Sequence, residues 1–442
     1  MNKKLMALAV AGALAVPAAA MAQVTISGGF RVGMVNHSIS NIAAGAGGAT
    51  ATARFNAGGT QSNASSTYIT DNVTQIIFQA QEDLGGGLKA IARYEWRPTI
   101  DGAGNAGGVM STGTGNGTNF VGVESRNMGT FRVGSVATYS GAGGTGSTYT
   151  PDRALAFTSH VGISQQIGTG AIVAAGQNSA LQQLNFGQGR NNNSITWNSP
   201  AWGMFDLTAV WSTQNAGNDG DMAVPVAGQS STTRKGQAFI IAPGVRVGGL
   251  RAQYIYFDNR VDGSVGGIAG WTGAGVAGAG IAVRDIKAHK LFGTYNLGNG
   301  FELTGIWSKA TLNNAYSGAG AQTNFSGGSK LSEKSIWQVG GRYITGPHTF
   351  SADYTRAGDD KIVTNAAGQT GNTGARAFSL GWMYELSKRT EVGLSYAKFT
   401  NDSNAANGPH DTANNAFGAS GTTGNNAGEG YSLWGVNVTH KF

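Results

Sequence analysis

The chain ends in Tyr431-Ser-Leu-Trp-Gly-Val-Asn-Val-Thr-His-Lys-Phe442, and this segment indicates the fold class. Small and polar residues alternate along it with a largely apolar set, which consists of Trp434, Val436, Val438, His440 and Phe442. Successive side chains of a β-strand point to opposite faces, so the pattern predicts a strand with one apolar and one polar face. A strand that is apolar outward, polar inward and terminated by an aromatic residue is typical of a transmembrane β-barrel.

The first 22 residues predict an export signal. Lys3 and Lys4 are followed by an apolar run from Leu5 to Val16 and by the small-residue cleavage pattern Ala20-Met-Ala22. The alternative is an N-terminal membrane anchor, but the apolar run is short and ends at a cleavage pattern. We therefore expect residues 1–22 to be removed and residues 23–442 to be exported from a bacterial cytoplasm.

The composition also favours a barrel. The 442 residues include 72 glycines and no cysteine, and only 12% of them are charged, against about 25% in an average soluble protein. The mean hydropathy is −0.15, as expected where only alternate residues must be apolar. The uncharged stretch 263–283 is rich in glycine and alanine, so it predicts a loop rather than a membrane-spanning helix.

Alternating segments recur along the whole chain and predict sixteen strands. Short turns and long polar connections join them in strict alternation, which places all the short turns at one end of a barrel. The prediction is an all-β fold, a 16-stranded antiparallel transmembrane β-barrel. The strands are predicted near residues 24–35, 69–82, 87–97, 118–126, 129–136, 192–199, 203–214, 236–246, 250–259, 284–297, 301–310, 334–345, 348–357, 375–386, 390–399 and 430–442.

Several segments in this order resemble the general porins of β-proteobacteria, a Gram-negative family. The resemblance runs along nearly the whole chain after residue 22. It is carried by Gln23-Val-Thr-Ile-Ser-Gly-Gly-Phe-Arg-Val-Gly33, Glu82-Asp-Leu-Gly-Gly-Gly-Leu-Lys89, Phe120-Val-Gly-Val123, Gly129-Thr-Phe-Arg-Val-Gly134, Asn193-Ser-Ile-Thr-Trp-Asn-Ser-Pro200, Gly346-Pro-His-Thr349, Leu386-Ser-Lys-Arg-Thr390 and His440-Lys-Phe442.

The resemblance implies a homotrimer in the outer membrane, surrounded by lipid and lipopolysaccharide, that passively conducts small hydrophilic solutes. It also implies that the connection 137–191 folds into the barrel as a constriction loop. In this family a basic cluster on the wall usually faces acidic groups on that loop. Here Asp152 is the only acid of the loop, beside Arg153 and Arg190, and residues 161–189 are uncharged. The acidic side of the usual transverse field thus consists of one residue in this loop.

Alternation along the predicted strands also identifies the charged residues of the inner wall. A slip of one residue would move every side chain to the opposite face, so this set depends on the register. Basic residues outnumber acidic ones, which predicts a weak preference for anions. The predicted pore-lining residues are Arg31, Lys89, Arg93, Glu95, Arg97, Arg132, Asp206, Arg251, Glu302, Arg342 and Asp353.

Two interpretations of these cations are open. Each arginine either contributes to the field in the pore or pairs with a carboxylate of the wall. For Arg31, Arg251 and Arg342 the two are equally favoured. For Lys89, Arg93 and Arg97, which lie on one strip of one strand, the pore field is favoured.

The closing strand has a second predicted role. Its terminal aromatic residue and alternate apolar residues resemble the signal read by the outer-membrane assembly machinery. This signal would comprise Trp434, Val436, Val438, His440 and Phe442. The alternative is that Phe442 only anchors the strand at the membrane interface, and both can hold.

Other classes of function find little support. The sequence has no G-x-S-x-G, no H-E-x-x-H and no cysteine, so we expect no enzyme, metal or cofactor. The sequence contains no run rich in lysine and arginine, so nucleic-acid binding has little support. A surface adhesin, with the long loops as its binding surface, stays open. A porin specific for a sugar or organic anion also stays open, because the constriction loop carries Gln165, Gln166, Gln177, Gln182 and Gln183.

Overall fold

The computed structural model describes residues 23–40, 63–71, 74–98, 117–137, 190–213, 237–260, 284–314, 330–361, 371–403, 428 and 430–442. These residues form seventeen strands: β1 (Gln23–Ser40), β2 (Asn63–Asp71), β3 (Gln75–Gly85), β4 (Leu88–Trp96), β5 (Asn119–Ser125), β6 (Gly129–Ala137), β7 (Arg190–Asn198), β8 (Phe205–Ser212), β9 (Gln237–Val247), β10 (Leu250–Arg260), β11 (Arg284–Gly298), β12 (Phe301–Asn314), β13 (Lys330–Thr345), β14 (His348–Ala357), β15 (Ala375–Glu385), β16 (Thr390–Asn401) and β17 (Gly430–Lys441). Within them, no helix is both long and apolar enough to cross a membrane.

The strands form one closed antiparallel barrel. From β3 onward each strand pairs with the next along the chain, and β1 pairs with β17, with Gly29 opposite Lys441 and Ser40 opposite Gly430. The first and last strands therefore seal the sheet, and no edge is left at this seam. This closure confirms the predicted antiparallel barrel.

The strands β2 and β3 are two halves of one barrel strand. Both pair with β1, β2 along Val32–Ser40 and β3 along Gln23–Gly29. At the break, the hydroxyl of Thr74 accepts a hydrogen bond from the Arg31 backbone N–H at 3.1 Å. Counted as one broken strand, β2 and β3 give the sixteen strands that the sequence predicts.

The two faces of the barrel differ as expected from the alternation. Along β14, Phe350 and Tyr354 are 46% and 36% exposed, whereas the intervening Ser351 and Asp353 are 8% and 4% exposed. Side chains converge on the concave side of a closed sheet and diverge on its convex side, so the less exposed set faces inward. The outer wall is therefore apolar and the inner wall carries most of the polar side chains.

The short turns lie together at one end of the barrel. Gly298, Asn299 and Gly300 all adopt positive φ (82°, 51° and 84°) in the turn between β11 and β12, which glycine and asparagine tolerate best. The C-terminus lies at the same end, because Lys441 donates its backbone N–H to Arg389 in the β15–β16 turn at 2.7 Å. In barrels of this kind short turns face the periplasm and long loops face outward.

Candidate functional site

The structure places all eleven predicted pore-lining residues on the inner face. Ten of them lie on the strands β1 (Arg31), β4 (Lys89, Arg93 and Glu95), β6 (Arg132), β8 (Asp206), β10 (Arg251), β12 (Glu302), β13 (Arg342) and β14 (Asp353), and Arg97 directly follows β4. Each has the inward parity of its strand. The register on which the prediction depends is therefore the register of the structure.

Three of these residues form one ion triad at the end of β4. Arg93 Nη2 lies 3.0 Å from Glu95 Oε2, and Arg97 Nε donates to Glu95 Oε1 at 2.6 Å. The Thr118 backbone N–H also donates to Glu95 Oε2, at 3.2 Å. Glu95 is 2% exposed, so its carboxylate is held almost wholly by charge-assisted hydrogen bonds.

The triad changes the interpretation of this strip. The structure pairs both Arg93 and Arg97 with the same carboxylate, which is the pairing interpretation of the two that the sequence leaves open. Their contribution to the field in the pore stays a prediction. Two guanidinium groups and one carboxylate leave a single net positive charge at this part of the wall.

Two further ion pairs connect neighbouring strands. Asp206 Oδ2 on β8 lies 3.0 Å from Arg246 Nη2 on β9. Glu302 Oε1 on β12 lies 3.3 Å from Arg342 Nε on β13. Arg342 therefore pairs with a carboxylate of the wall, as the second of the two interpretations expects. Arg251, in contrast, makes no ion pair with any residue in the described part of the chain.

Arg132 is held by neutral partners. Its Nη1 donates to Asn198 Oδ1 on β7, and its guanidinium carbon lies 5.3 Å from the centre of the Phe120 ring. The Asn198 amide in turn donates to Thr208 at 2.7 Å. Arg132 is 7% exposed, and no carboxylate of the described residues is in direct contact with it.

Asp353 forms a hydrogen-bonded group across three strands. Gln338 Nε2 on β13 donates to Asp353 Oδ1 at 2.9 Å, and Ser379 Oγ on β15 donates to Asp353 Oδ2. Since Gln338 and Ser379 are 2% and 1% exposed, this group ties adjacent strands together on the inner face.

The sequence analysis missed several charged residues of the inner wall. Lys290 on β11 is 4% exposed, with its Nζ 5.4 Å from the Phe292 ring centre. Lys334 on β13 is also 4% exposed and donates to the Thr373 carbonyl oxygen at 2.7 Å. Arg246 and the acid Glu124 also lie on the inner face. They share the parity of Gly244 and Gly122, two residues before them in the sequence.

Basic residues outnumber acidic ones on the inner face of the described strands. The basic residues with inward parity are Arg31, Lys89, Arg93, Arg97, Arg132, Arg246, Arg251, Lys290, Lys334, Arg342 and Lys441, and the acidic ones are Asp83, Glu95, Glu124, Asp206, Glu302, Asp353, Glu385 and Glu391. A low-dielectric wall focuses such an excess into the space that it encloses.

The predicted assembly residues lie on the outer face of β17 and at Phe442, which directly follows it. Trp434, Val436, Val438 and Phe442 are 46%, 37%, 47% and 40% exposed, and His440 is exposed between them. Phe442 exchanges two backbone hydrogen bonds of 3.2 Å with Gly28. Its ring lies 5.6 Å from that of Phe30.

Some predicted features lie outside the described residues. These are the signal at 1–22, Asp152, Arg153 and the five glutamines of the constriction loop. Arg190 is described and differs from the prediction: it is the first residue of β7, opposite Ala137, rather than part of the loop. In the ranges that the structure describes, no group of three or more His, Asp or Glu residues is placed to hold a metal ion.

Comparison with known proteins points to one family. The profile of the Gram-negative porins matches residues 7–404. The major outer membrane protein P.IB of Neisseria meningitidis serogroup A is 34% identical over 134 residues, which is 30% of this chain and 33% of that protein. The chain thus spans about a third of the length of this curated relative.

Solved structures share the fold at low sequence identity. The anion-selective porin from Comamonas acidovorans superposes with a TM-score of 0.61 and 17% identity, covering 96% of this chain and 100% of that chain. The trimer form of OmpT from Vibrio cholerae gives a TM-score of 0.55 and 14% identity, covering 95% and 99%. With the profile matched over most of its length, the chain belongs to the Gram-negative porin family, the channel-forming β-barrels of the bacterial outer membrane.

Proposed function

We propose that the protein is a passive diffusion channel for small hydrophilic solutes and ions, with a weak preference for anions. The observation that carries the proposal is the charge of the inner wall. Several of its cations, among them Arg132 and Arg251, have no carboxylate in direct contact within the described ranges. Such charges attract permeant anions and repel cations, and the effect weakens as salt screens it.

The family and one structural neighbour support the same proposal. The Comamonas protein of the same fold is described as an anion-selective porin. At 17% identity that likeness shows the fold alone, so the preference rests on the wall charges of this chain.

Reversal potentials in planar bilayers test the selectivity. With a salt gradient across the membrane, we expect the potential to shift toward the equilibrium potential of the anion, and to shift further at low ionic strength. A reversal potential on the cation side at low salt would contradict the proposal. A current that saturates with a sugar or an organic anion would instead favour the substrate-specific alternative.

We also propose that the channel is a homotrimer, exported with a cleaved signal and inserted by the outer-membrane assembly machinery. One neighbour of the same fold has been solved in a trimer form. Insertion of a single particle should then raise the conductance in one event that closes in three equal steps. One closing step per particle would refute the trimer but would not contradict the proposed channel function.

A further inference from the structure

We infer that the periplasmic mouth of the pore carries a binding site for a divalent oxyanion of the phosphate type, formed by Arg246 and Arg251. The inference rests on the proposed function, because it assigns an anion site inside the proposed channel. It goes beyond a weak preference for anions, since it names a fixed position at which one anion is held between two guanidinium groups.

Both arginines lie beside the short turn that joins β9 to β10. Arg246 is the last residue but one of β9, and Arg251 is the second residue of β10. One residue of a strand spans about 3.3 Å, so each arginine lies within about 7 Å of the turn. Since the short turns form the periplasmic end of such a barrel, the pair lies at the periplasmic mouth of the pore.

The two side chains are neighbours on the inner face and are open to the pore. Arg246 is directly opposite Arg251 in the register of β9 and β10. The Arg246 side chain is 44% exposed and Arg251 is also exposed, whereas Ile240 and Phe257, further along the same two inner faces, are each 1% exposed. Like charges directly across two strands destabilise a sheet, so an anion between the two guanidinium groups would stabilise this arrangement.

The carboxylate beside this pair lies on the far side of Arg246. Asp206 Oδ2 on β8 is 3.0 Å from Arg246 Nη2, while Arg251 on β10 makes no ion pair with a described residue. The strands are ordered β8, β9, β10, so the three charges follow one another as negative, positive and positive. The side of the pair that faces β10 therefore has positive charge without a protein counter-ion in the described ranges.

A glycine leaves room for a ligand next to the pair. Gly244, two residues before Arg246 on the same face of β9, is directly opposite Asp206 on β8 and Gln253 on β10. Because position 244 has no side chain, the inner wall is recessed there. An oxyanion in this recess can accept hydrogen bonds from both guanidinium groups, and arginine binds phosphate through paired hydrogen bonds of this kind.

The positive charge of the periplasmic mouth is concentrated in this part of the wall. In the periplasmic parts of β6 to β11 and the turns between them, the charged residues are three cations and one anion: Arg132, Arg246, Arg251 and Asp206. On one side, the same end of β3 to β5 and the turn after β5 carry three anions and two cations: Glu82, Asp83, Glu124, Lys89 and Arg126. On the other side, Glu302 and Arg342 pair with each other. A divalent anion at this mouth is therefore attracted to the sector that contains the two arginines.

The test is block of the chloride current through single channels of the full-length protein by inorganic phosphate at constant ionic strength. Block should saturate with phosphate concentration. It should depend weakly on voltage when phosphate enters from the end that carries the site, and steeply when it enters from the other end, because the anion then crosses more of the applied potential.

The variants separate a built site from diffuse wall charge. Asp206→Asn/Arg246→Gln removes one charge of each sign, so the net charge is unchanged, but it should weaken the block at least about tenfold because the hydrogen bonds of one guanidinium group are lost. Arg251→Gln should weaken it at least as much. The matched control is Lys89→Gln/Glu124→Gln, an opposed pair of the same mouth, which should be blocked like the wild type.

Three outcomes would overturn the inference: block that does not saturate in the wild type, wild-type block in Asp206→Asn/Arg246→Gln, or an equal loss of block in the control. The reversal potential of the same channels in chloride keeps this test apart from the proposed function. An anion-selective wild type without phosphate block refutes the site alone, whereas a cation-selective one contradicts the proposed preference. Heat-modifiable gel mobility shows that each variant folds. If Arg251→Gln does not, Arg251→Lys keeps the charge without the paired hydrogen bonds and should still be blocked more weakly than the wild type.

Discussion

Replacing Glu95 by glutamine should make the channel more selective for anions. The substitution keeps the size of the side chain and removes the only carboxylate that Arg93 and Arg97 contact on β4. The net charge of the triad then rises from one to two positive charges. Because the triad lies on the inner wall, the added charge acts on ions that pass it.

The size of the effect follows from Coulomb's law. A unit charge about 4 Å from a permeant ion contributes about 1 kcal/mol in water, or about a fivefold change in local ion concentration. Screening shortens the range of this interaction to about 10 Å at 0.1 M salt and about 3 Å at 1 M. We therefore expect a clear change at 0.1 M and a small one at 1 M.

The assay is the reversal potential of the reconstituted channel at both salt concentrations. Arg93→Gln/Glu95→Gln is the matched control, since it restores one net positive charge and should return the potential toward that of the wild type. The reasoning is refuted if Glu95→Gln shifts the potential toward cations, or leaves it unchanged at 0.1 M salt.

The same substitution should also destabilise the barrel. Removing one partner of a buried ion pair costs about 3–5 kcal/mol, because the other charge stays buried. Here the two arginine side chains are 6% and 19% exposed, so the cost lies toward the lower end of that range. The temperature at which the barrel unfolds in detergent should fall, and Arg93→Gln/Glu95→Gln should recover part of the loss.

One deletion and two substitutions test the barrel itself. Deleting Phe442 removes both backbone hydrogen bonds to Gly28 and should reduce the amount of folded protein in membranes while synthesis is unchanged. The control Phe442→Tyr should assemble normally. Equal yields of folded protein from the deletion and the wild type would contradict the assembly role of Phe442. Gly122→Val should abolish folding measured by heat-modifiable gel mobility, because its Cβ would meet the Phe131 carbonyl oxygen; a stable variant would refute this close approach. Asp353→Ala leaves two buried hydrogen-bonding side chains unpaired and should cost about 2–6 kcal/mol, seen as a lower unfolding temperature, whereas Asp353→Asn should lose less.

The fold was predictable because the membrane imposes the same alternation on nearly every strand. The segment Leu250-Arg-Ala-Gln-Tyr-Ile-Tyr256 shows it plainly: Tyr254 points outward and Gln253 inward, as predicted. The break at Thr74 was not predictable in this way. Ile69 before it and Phe78 after it both face outward, although one is at an odd and the other at an even position. A single alternating pattern cannot describe both halves.

The charged residues of the wall were predictable only where polar residues keep to one parity. In Ile286-Lys-Ala-His-Lys-Leu-Phe292 basic residues occur at both parities, so Lys290 could not be assigned to the inner face from the sequence. The ion triad was hidden for a different reason. Its Arg-x-Glu-x-Arg spacing shows that the three side chains share a face, but not that both arginines turn toward one carboxylate.

The seam between β1 and β17 has a consequence for biogenesis. These two strands are separated by nearly the whole polypeptide, so their hydrogen bonds form only after every intervening hairpin has been released from the ribosome. Loop-closure entropy makes such remote pairing slow, and until it occurs the ribbon has two open borders that invite pairing with other polypeptides. The nascent protein is therefore exposed to non-native strand pairing until β1 and β17 have paired.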